Sequence, residues 1–404
     1  MTGPQPAPAL RIRIAGGATV VVPGRIDLLT PYVLLEQEDW FEDELRFLRS
    51  ALMPGMRVVD IGANYGLYAL SLALTVGPSG RVWAVEPASA TAVYLQQGID
   101  ANSFAHVTLV RKALSDREGT ARLSVEANSE LNSLGQGSGT GATEEVPLTT
   151  LDVLTADAGW DRIDFLKLDA EGEEERIVAG GCVFLRSQSP LILFEIRHGE
   201  RLILGLAGRL AALGYATYRL LPGPGLLVPW DPAAPLDDFQ LNLFACKPDR
   251  AASLERAGKL QAAPSGRYAA MQAAYATVKA ACGNDPARLA ACARLARDLG
   301  ERRQAIELLN RALAQAPAPQ VLAGVLEDLV TLAAFSTYFG RGAPLGGTFM
   351  RQLEALKATG FIRPPMERRR QLMRILAGLQ AGPEPDPLLT TAAPDHLNPG
   401  LWGG

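Results

Sequence analysis

Two sets of residues in this chain have the types and spacing to do chemistry. The first is Asp60, Gly62, Asn64 and Gly66 in the run VVDIGANYG (58–66), with Glu86 and Pro87 ending the run VWAVEP (82–87). The second is Asp169 and Glu171 in LDAEG (168–172), with Glu195 and His198 in FEIRHG (194–199). Each set follows an apolar run of strand length. A tight glycine turn after a buried strand lets the backbone approach a ligand closely. An acid at the end of the next strand is placed to accept ribose hydroxyls.

The turn lacks the third glycine of the GxGxxG loop that cradles a pyrophosphate. Asp60 would repel a phosphate, but it suits a ligand that carries an ammonium and a sulfonium. The pattern therefore points to S-adenosylmethionine rather than a dinucleotide. The competing reading is that Gly62 and Gly66 serve only helix–sheet packing and that Glu86 caps a helix beginning near Ala88. Asn64 supplies hydrogen-bonding capacity near the helix start.

Ionisable groups gathered at the mouth of a buried sheet are costly for structure alone. Methyl transfer from a sulfonium is an in-line displacement, and a hydroxyl acceptor must lose its proton as attack proceeds. His198 is the natural base, since an unperturbed imidazole titrates at about 6.5. Asp169 can orient the acceptor hydroxyl or the methionyl ammonium. Glu195 can share the base role or hold His198 in one tautomer. Glu171 either takes part or only favours the start of the helix after Gly172. The alternative for His198 is a helix-start residue that bonds the backbone. LDAEG is not the Asn/Asp-Pro-Pro-aromatic motif of exocyclic-amine methylation of nucleobases.

The elements that must position these residues alternate. Strands are expected at 57–61, 81–85, 106–111, 121–125, 163–168, 191–196, 216–220 and 241–247. Helices are expected at 65–75, 88–101, 150–158, 173–179 and 200–213. The strand runs are apolar throughout, as parallel strands buried on both faces require. The last two strands have no helix between them, only a Pro/Gly-rich stretch (221–238), so the final strand inserts antiparallel. The expected fold is α/β: the mostly parallel, seven-stranded, Rossmann-like sheet of class I methyltransferases, its last strand antiparallel, followed by an α-helical C-terminal domain. Before it, 12–22 reads as a hairpin around Gly16–Gly17 and 38–52 as a helix. The stretch 135–141, GQGSGTG, reads as a flexible loop.

Beyond Pro248 the strand signals stop. Residues 285–317 carry one tetratricopeptide-like unit, with Leu289, Ala293, Gly300, Ala305, Leu309, Ala312 and Pro317 at the packing positions and 268–282 as a preceding helix. One unit is too few for an independent array, so a helical appendage on the catalytic domain is the simpler reading. Residues 364–379 form an amphipathic helix whose Arg368, Arg369 and Arg370 read as a solvated face. The expected domains are 1–55 (hairpin and helix packing on the catalytic domain), 56–248 (methyltransferase), 249–381 (helical) and 382–404 (loosely ordered tail).

The chain has 404 residues, 48% hydrophobic and 20% charged, with a formal net charge of -4, so no nucleic-acid partner is expected. Its four cysteines form no CxxC and sit beside no histidine cluster, so no metal is expected and a reducing, cytoplasmic compartment fits. No secretory leader or membrane-spanning run is read.

On these residues the chain resembles the FkbM family of S-adenosylmethionine-dependent methyltransferases. The matching pieces are VVDIGANYG (58–66), VEP (85–87), Asn102, KALSDREGTARL (112–123), Asn132–Ser133–Leu134, TTLD (149–152), IDFLKLDAEGEEERIVAGG (163–181) and FEIRHG (194–199). They run in the family's order over roughly the first 250 residues. The resemblance implies the class I fold and O-methylation of a hydroxyl on a sugar, glycan or secondary metabolite. It makes Asp60, Gly62, Asn64, Gly66, Glu86 and Pro87 cofactor contacts. Ala113 and Leu114, in the segment 112–115, would lie near the adenine edge, and Asp169 near the transfer centre. The helical C-terminal third departs from a minimal member. Two other readings compete: a scaffold that binds a protein partner through its helical region, and a nicotinamide-dependent oxidoreductase.

Overall fold

The computed structural model describes residues 8–125, 133–134, 142–198, 201–234, 236–237, 240–262, 266–338 and 345–381. The expected loop at 135–141 falls outside the described residues, as do Asn132 and the tail 382–404.

In chain order, the first half runs β1 (Ala9–Arg13), β2 (Thr19–Pro23), α1 (Leu29–Gln37), α2 (Asp43–Ala51), β3 (Arg57–Ile61), α3 (Leu67–Val76), β4 (Arg81–Val85) and α4 (Ser89–Ala101). There follow β5 (Val107–Val110), β6 (Ala113–Ser115), β7 (Gly119–Val125), β8 (Ser133–Leu134), β9 (Ala142–Thr150) and α5 (Leu151–Asp157). Next come β10 (Phe165–Leu168), α6 (Glu174–Ala179), α7 (Cys182–Ser187), β11 (Leu191–Glu195), β12 (Arg197–His198), β13 (Arg201–Leu202) and α8 (Gly205–Ala212). The chain continues through β14 (Ala216–Leu221), β15 (Leu226–Pro229), β16 (Asn242–Cys246), α9 (Pro248–Arg256), α10 (Arg267–Ala281) and α11 (Pro286–Asp298). It ends with α12 (Arg302–Ala314), α13 (Pro319–Tyr338), α14 (Leu345–Thr359) and α15 (Pro364–Ala381).

The chain divides into two compact units. One gathers Ala15–Val21 and Glu42–Pro264, and the other the described residues of Met1–Ile14, Val22–Phe41 and Ser265–Gly404. The first unit is built on an eight-stranded sheet in the order β15-β14-β16-β11-β10-β3-β4-β5. β11, β10, β3, β4 and β5 pair parallel in succession, and β16 runs antiparallel between β11 and β14. That is the expected arrangement with one strand more. β15 pairs antiparallel with β14 and extends the edge. It lies inside the Pro/Gly-rich stretch, where the turn residues hide the short apolar run LLVP. The core strands are buried along their length because helices cover both faces. Val59, Ile61, Leu166, Leu168, Phe184 and Phe194 share one core.

Strand 119–125 belongs to a separate four-stranded sheet, β6-β9-β7-β8. Its long partner β9 has alternating Val146 and Leu148 buried, a period-two signal the sequence reading passed over. The helix expected at 200–213 begins only at Gly205, after the short ladder β12–β13. The helix expected at 38–52 is shorter, spanning Asp43–Ala51, and a separate helix precedes it. Glu38, at φ 56, caps α1 in the left-handed conformation, and α2 starts at Asp43. α1 went unseen because it is buried on nearly every side, which leaves no amphipathic period to read.

The second unit is helical among its longer described elements. Asp285 caps α11 by accepting the Arg288 N–H at 2.8 Å. Leu289, Ala293, Ala305, Leu309 and Ala312, picked out by spacing, are all buried and pack with Leu326 and Leu353. Arg368, Arg369 and Arg370 are buried as well, which overturns the solvated-face expectation. Arg369 pairs with Glu36 of α1 at 3.0 Å, and Arg370 with Glu354 at 3.0 Å. Arg368 pairs with Glu38 at 3.3 Å. Val22–Phe41 thus groups with the C-terminal helices, whereas α9 stays with the sheet, its Arg250 reaching Asp164 at 3.2 Å. Among the described residues no helix is long and apolar enough to cross a membrane.

Candidate functional site

Strand order reverses between β3 and β10, since β4 and β5 lie to one side and β11 to the other. In open α/β sheets ligands bind in the crevice at such a point, beyond the carboxyl ends of the strands. The loops after β3, β4, β10 and β11 carry the candidate residues to that edge.

The turn after β3 is fixed by its backbone. Gly62 has φ 75, and a Cβ there would stand 1.6 Å from the carbonyl oxygen of Asp169. No side chain fits. Gly66, at φ 88, caps α3, and a Cβ there would meet Leu95 Cδ1 at 2.4 Å, so this glycine also serves helix packing. Asn64 itself sits at φ 49 and donates its backbone N–H to Glu86 Oε2 at 2.9 Å. Glu86 Oε1 accepts the Ala88 N–H at 2.9 Å. Both Glu86 oxygens thus hold backbone, at the turn and at the start of α4, and each keeps a second lone pair. Burial pushes Glu86 up to about 7, against the pull of the Ala88 and Asn64 N–H groups and of Arg111.

Pro87 is half-buried beside it, its carbonyl accepting from Arg111 at 3.4 Å. Ala113 and Leu114 are buried in β6, their side chains in two different cores, so only backbone is available there to a ligand.

Asp60 is 1% exposed, and neither carboxylate oxygen accepts a hydrogen bond from a described group. Burial raises its pKa, Lys167 opposes that, and Asp169 adds to it. Lys167 is level with Asp60 in the parallel register, with Nζ 3.8 Å from Asp60 Oδ1 and 2.6 Å from Asp169 Oδ2. The ammonium lies 5.1 Å from the centre of the Tyr68 ring. Tyr68 in turn donates to Glu42 at 2.5 Å. Lys167, Tyr68 and Glu42 are members of the site that sequence reasoning missed. A lysine inside the apolar strand FLKL was the available signal.

On the other side, Asp169, Glu174 and Glu195 bring carboxylate oxygens within 4.8 Å of one another. Glu174 accepts N–H bonds from Ala170 at 2.8 Å and from Gly172 at 3.1 Å, and Asp169 holds Lys167. With two of the three engaged, no metal is assigned to the cluster. Glu195 is pushed well above the ordinary carboxylate range by burial and by Asp169, Glu171, Glu174 and Glu42. That shift favours its protonated form. Glu171 sits at φ 50 in the turn before α6. His198 lies in β12, its backbone paired with Arg201, rather than at a helix start. Its side chain lies outside the described residues.

An edge carrying Asp60, Asp169, Glu171, Glu174 and Glu195, with Lys167 as the buried cation among them, suits a cationic ligand better than a phosphate. Residues 60–216 match the family model described as the methyltransferase FkbM domain. This segment of the chain is thus a methyltransferase-family domain on a mostly parallel α/β sheet. No curated protein matches the chain. Among solved structures, methyltransferase FkbM from Methylobacillus flagellatus KT is 18% identical, over 48% of this chain and 44% of that chain, with a TM-score of 0.34. This chain thus spans under half the length of that protein. A SAM-dependent O-methyltransferase from Thermotoga maritima is 14% identical, over 60% of this chain and 78% of that chain, with a TM-score of 0.30. Precorrin-6y C5,15-methyltransferase from Geobacter metallireducens GS-15 is 13% identical, over 50% and 86%, with a TM-score of 0.29. Structural likeness at this level carries no functional weight.

Proposed function

We propose that this protein is an S-adenosylmethionine-dependent methyltransferase that methylates a hydroxyl of a sugar, glycan or secondary metabolite. One observation carries the reading: the Asn64 N–H ties the glycine turn to Glu86 at the end of the neighbouring strand. That bond joins the two parts of an adenosyl-binding edge, a close-approach turn and a hydroxyl acceptor. The match of 60–216 to the FkbM domain supports it.

In this reading Glu86 receives the ribose hydroxyls, and the turn from Gly62 to Gly66 passes beneath the methionyl part. Asp60 and Asp169 face its cationic groups. Pro87, with the backbone of Ala113 and Leu114, borders the adenine. The bound donor supplies an electrophilic methyl group, and the chain's own residues orient the acceptor and take its proton. Glu195, kept neutral, donates a hydrogen bond to the acceptor. His198 takes the proton, with Glu171 at the rim of the acceptor side. We assign the tetratricopeptide-like helices a packing role within their own unit, on Ala293, Ala305 and Ala312. The acceptor is a small molecule or glycan.

The test is a calorimetric titration of the full chain with S-adenosylmethionine and, separately, with NAD. Saturable heat with the first alone supports the reading. Heat with NAD alone favours the oxidoreductase, and none with either favours the scaffold.

A further inference from the structure

Lys167 has no part in the chemistry just outlined, and β10 does not need it, since Phe165, Leu166 and Leu168 are apolar. A buried ammonium is expensive unless carboxylates face it. Several elements supply them. Asp60 comes from β3, Asp169 follows β10, and Glu42 precedes α2, while Tyr68 of α3 offers its ring. Glu195 at the end of β11, with Glu171 and Glu174 before and in α6, adds further carboxyl groups around Asp169. Asp60 meets the strict hydrogen-bond geometry with no described group, and the ammonium at 3.8 Å is the cation beside it. Asp169 is 36% exposed and commits Oδ2 to Lys167.

We propose that Lys167 is a positioning residue for the methyl donor: its ammonium bridges Asp60 and Asp169 and engages one Asp169 oxygen, leaving the other for the donor's cationic groups. The proposal rests on the methyl-donor reading above. Without the ammonium, Asp60 would be a buried carboxylate with no cation beside it, and burial favours its protonated form. The surrounding acids hold Lys167 above its ordinary pKa, so it is a fixed charge and not a base.

Two measurements on the full chain test this. The first compares melting temperatures of the wild type and Lys167→Met from pH 5 to pH 8. In the variant Asp60 takes up a proton at low pH and is stranded as a buried anion at high pH. The gap to wild type should therefore be small at pH 5 and widen toward pH 8. Adding Asp60→Asn should remove the widening. A gap independent of pH, including a variant unfolded throughout, overturns the proposal.

The second measures S-adenosylmethionine affinity at pH 5, as a ratio to wild type so that other titrations cancel. Lys167→Met should bind about ten-fold more weakly, and Lys167→Arg within about two-fold. Equal affinity of Lys167→Met overturns the proposal. If the wild type binds no donor at millimolar concentration, the methyl-donor reading falls and takes the positioning role with it. The melting series still reads the Lys167–Asp60 pairing by itself.

Discussion

The carbonyl oxygen of Asp169 occupies the space where Gly62 would carry a side chain, 1.6 Å from an ideal Cβ. Two loops that begin on neighbouring parallel strands are thereby pressed together at the mouth of the sheet. Gly62→Ala must move backbone and also pay for a positive φ. Gly66→Ala carries the same positive-φ strain but meets only the side chains of Leu95 and Leu70, not backbone. Gly62→Ala should cost at least about 2 kcal/mol, and more than Gly66→Ala, in chemical unfolding. Equal costs would mean the loop yields freely.

Glu86 titrates near 7 in the free protein because it is buried. Ribose hydroxyls favour its ionised form. S-adenosylmethionine affinity should therefore fall as pH drops from 8 to 6, by about ten-fold if only the ionised form binds. Glu86→Gln should bind weakly and lose that dependence. Titration calorimetry across the pH series reads both.

The Arg369–Glu36 pair is buried at both ends, with side-chain exposures of 2% and 0%. Tyr32 also donates to Glu36, at 3.1 Å. Arg369→Met leaves a buried anion, so it should destabilise the helical unit by about 3–5 kcal/mol in denaturant unfolding. Arg369→Met with Glu36→Gln should recover much of that loss, because the stranded charge is gone.

His198→Ala is expected to lower kcat by about 100-fold with donor affinity unchanged. An unchanged rate would remove His198 from the reaction and leave proton removal to solvent.

The parallel sheet and the turn were legible because both leave local marks. Buried strands are apolar without alternation, and a glycine turn precedes an acid at fixed spacing. What escaped notice depends on partners distant in the chain. Arg369 looks solvent-facing until Glu36 is seen beside it, and Lys167 looks like an interruption in a strand until Asp60 is seen level with it. α1 and β15 were hidden for opposite reasons, one buried all round and the other enclosed by turn residues. For Glu195 the position was readable but the protonation state was not, because its neighbours arrive from Glu42, Asp169 and Glu174.

The most direct test of the central claim is a crystal structure of the full chain with S-adenosylhomocysteine. The ribose hydroxyls are expected on the Glu86 carboxylate, with the amino-acid end beside Asp60 and Asp169 over the Gly62 turn. A ligand lodged elsewhere, or Glu86 turned away from the ribose, would contradict it.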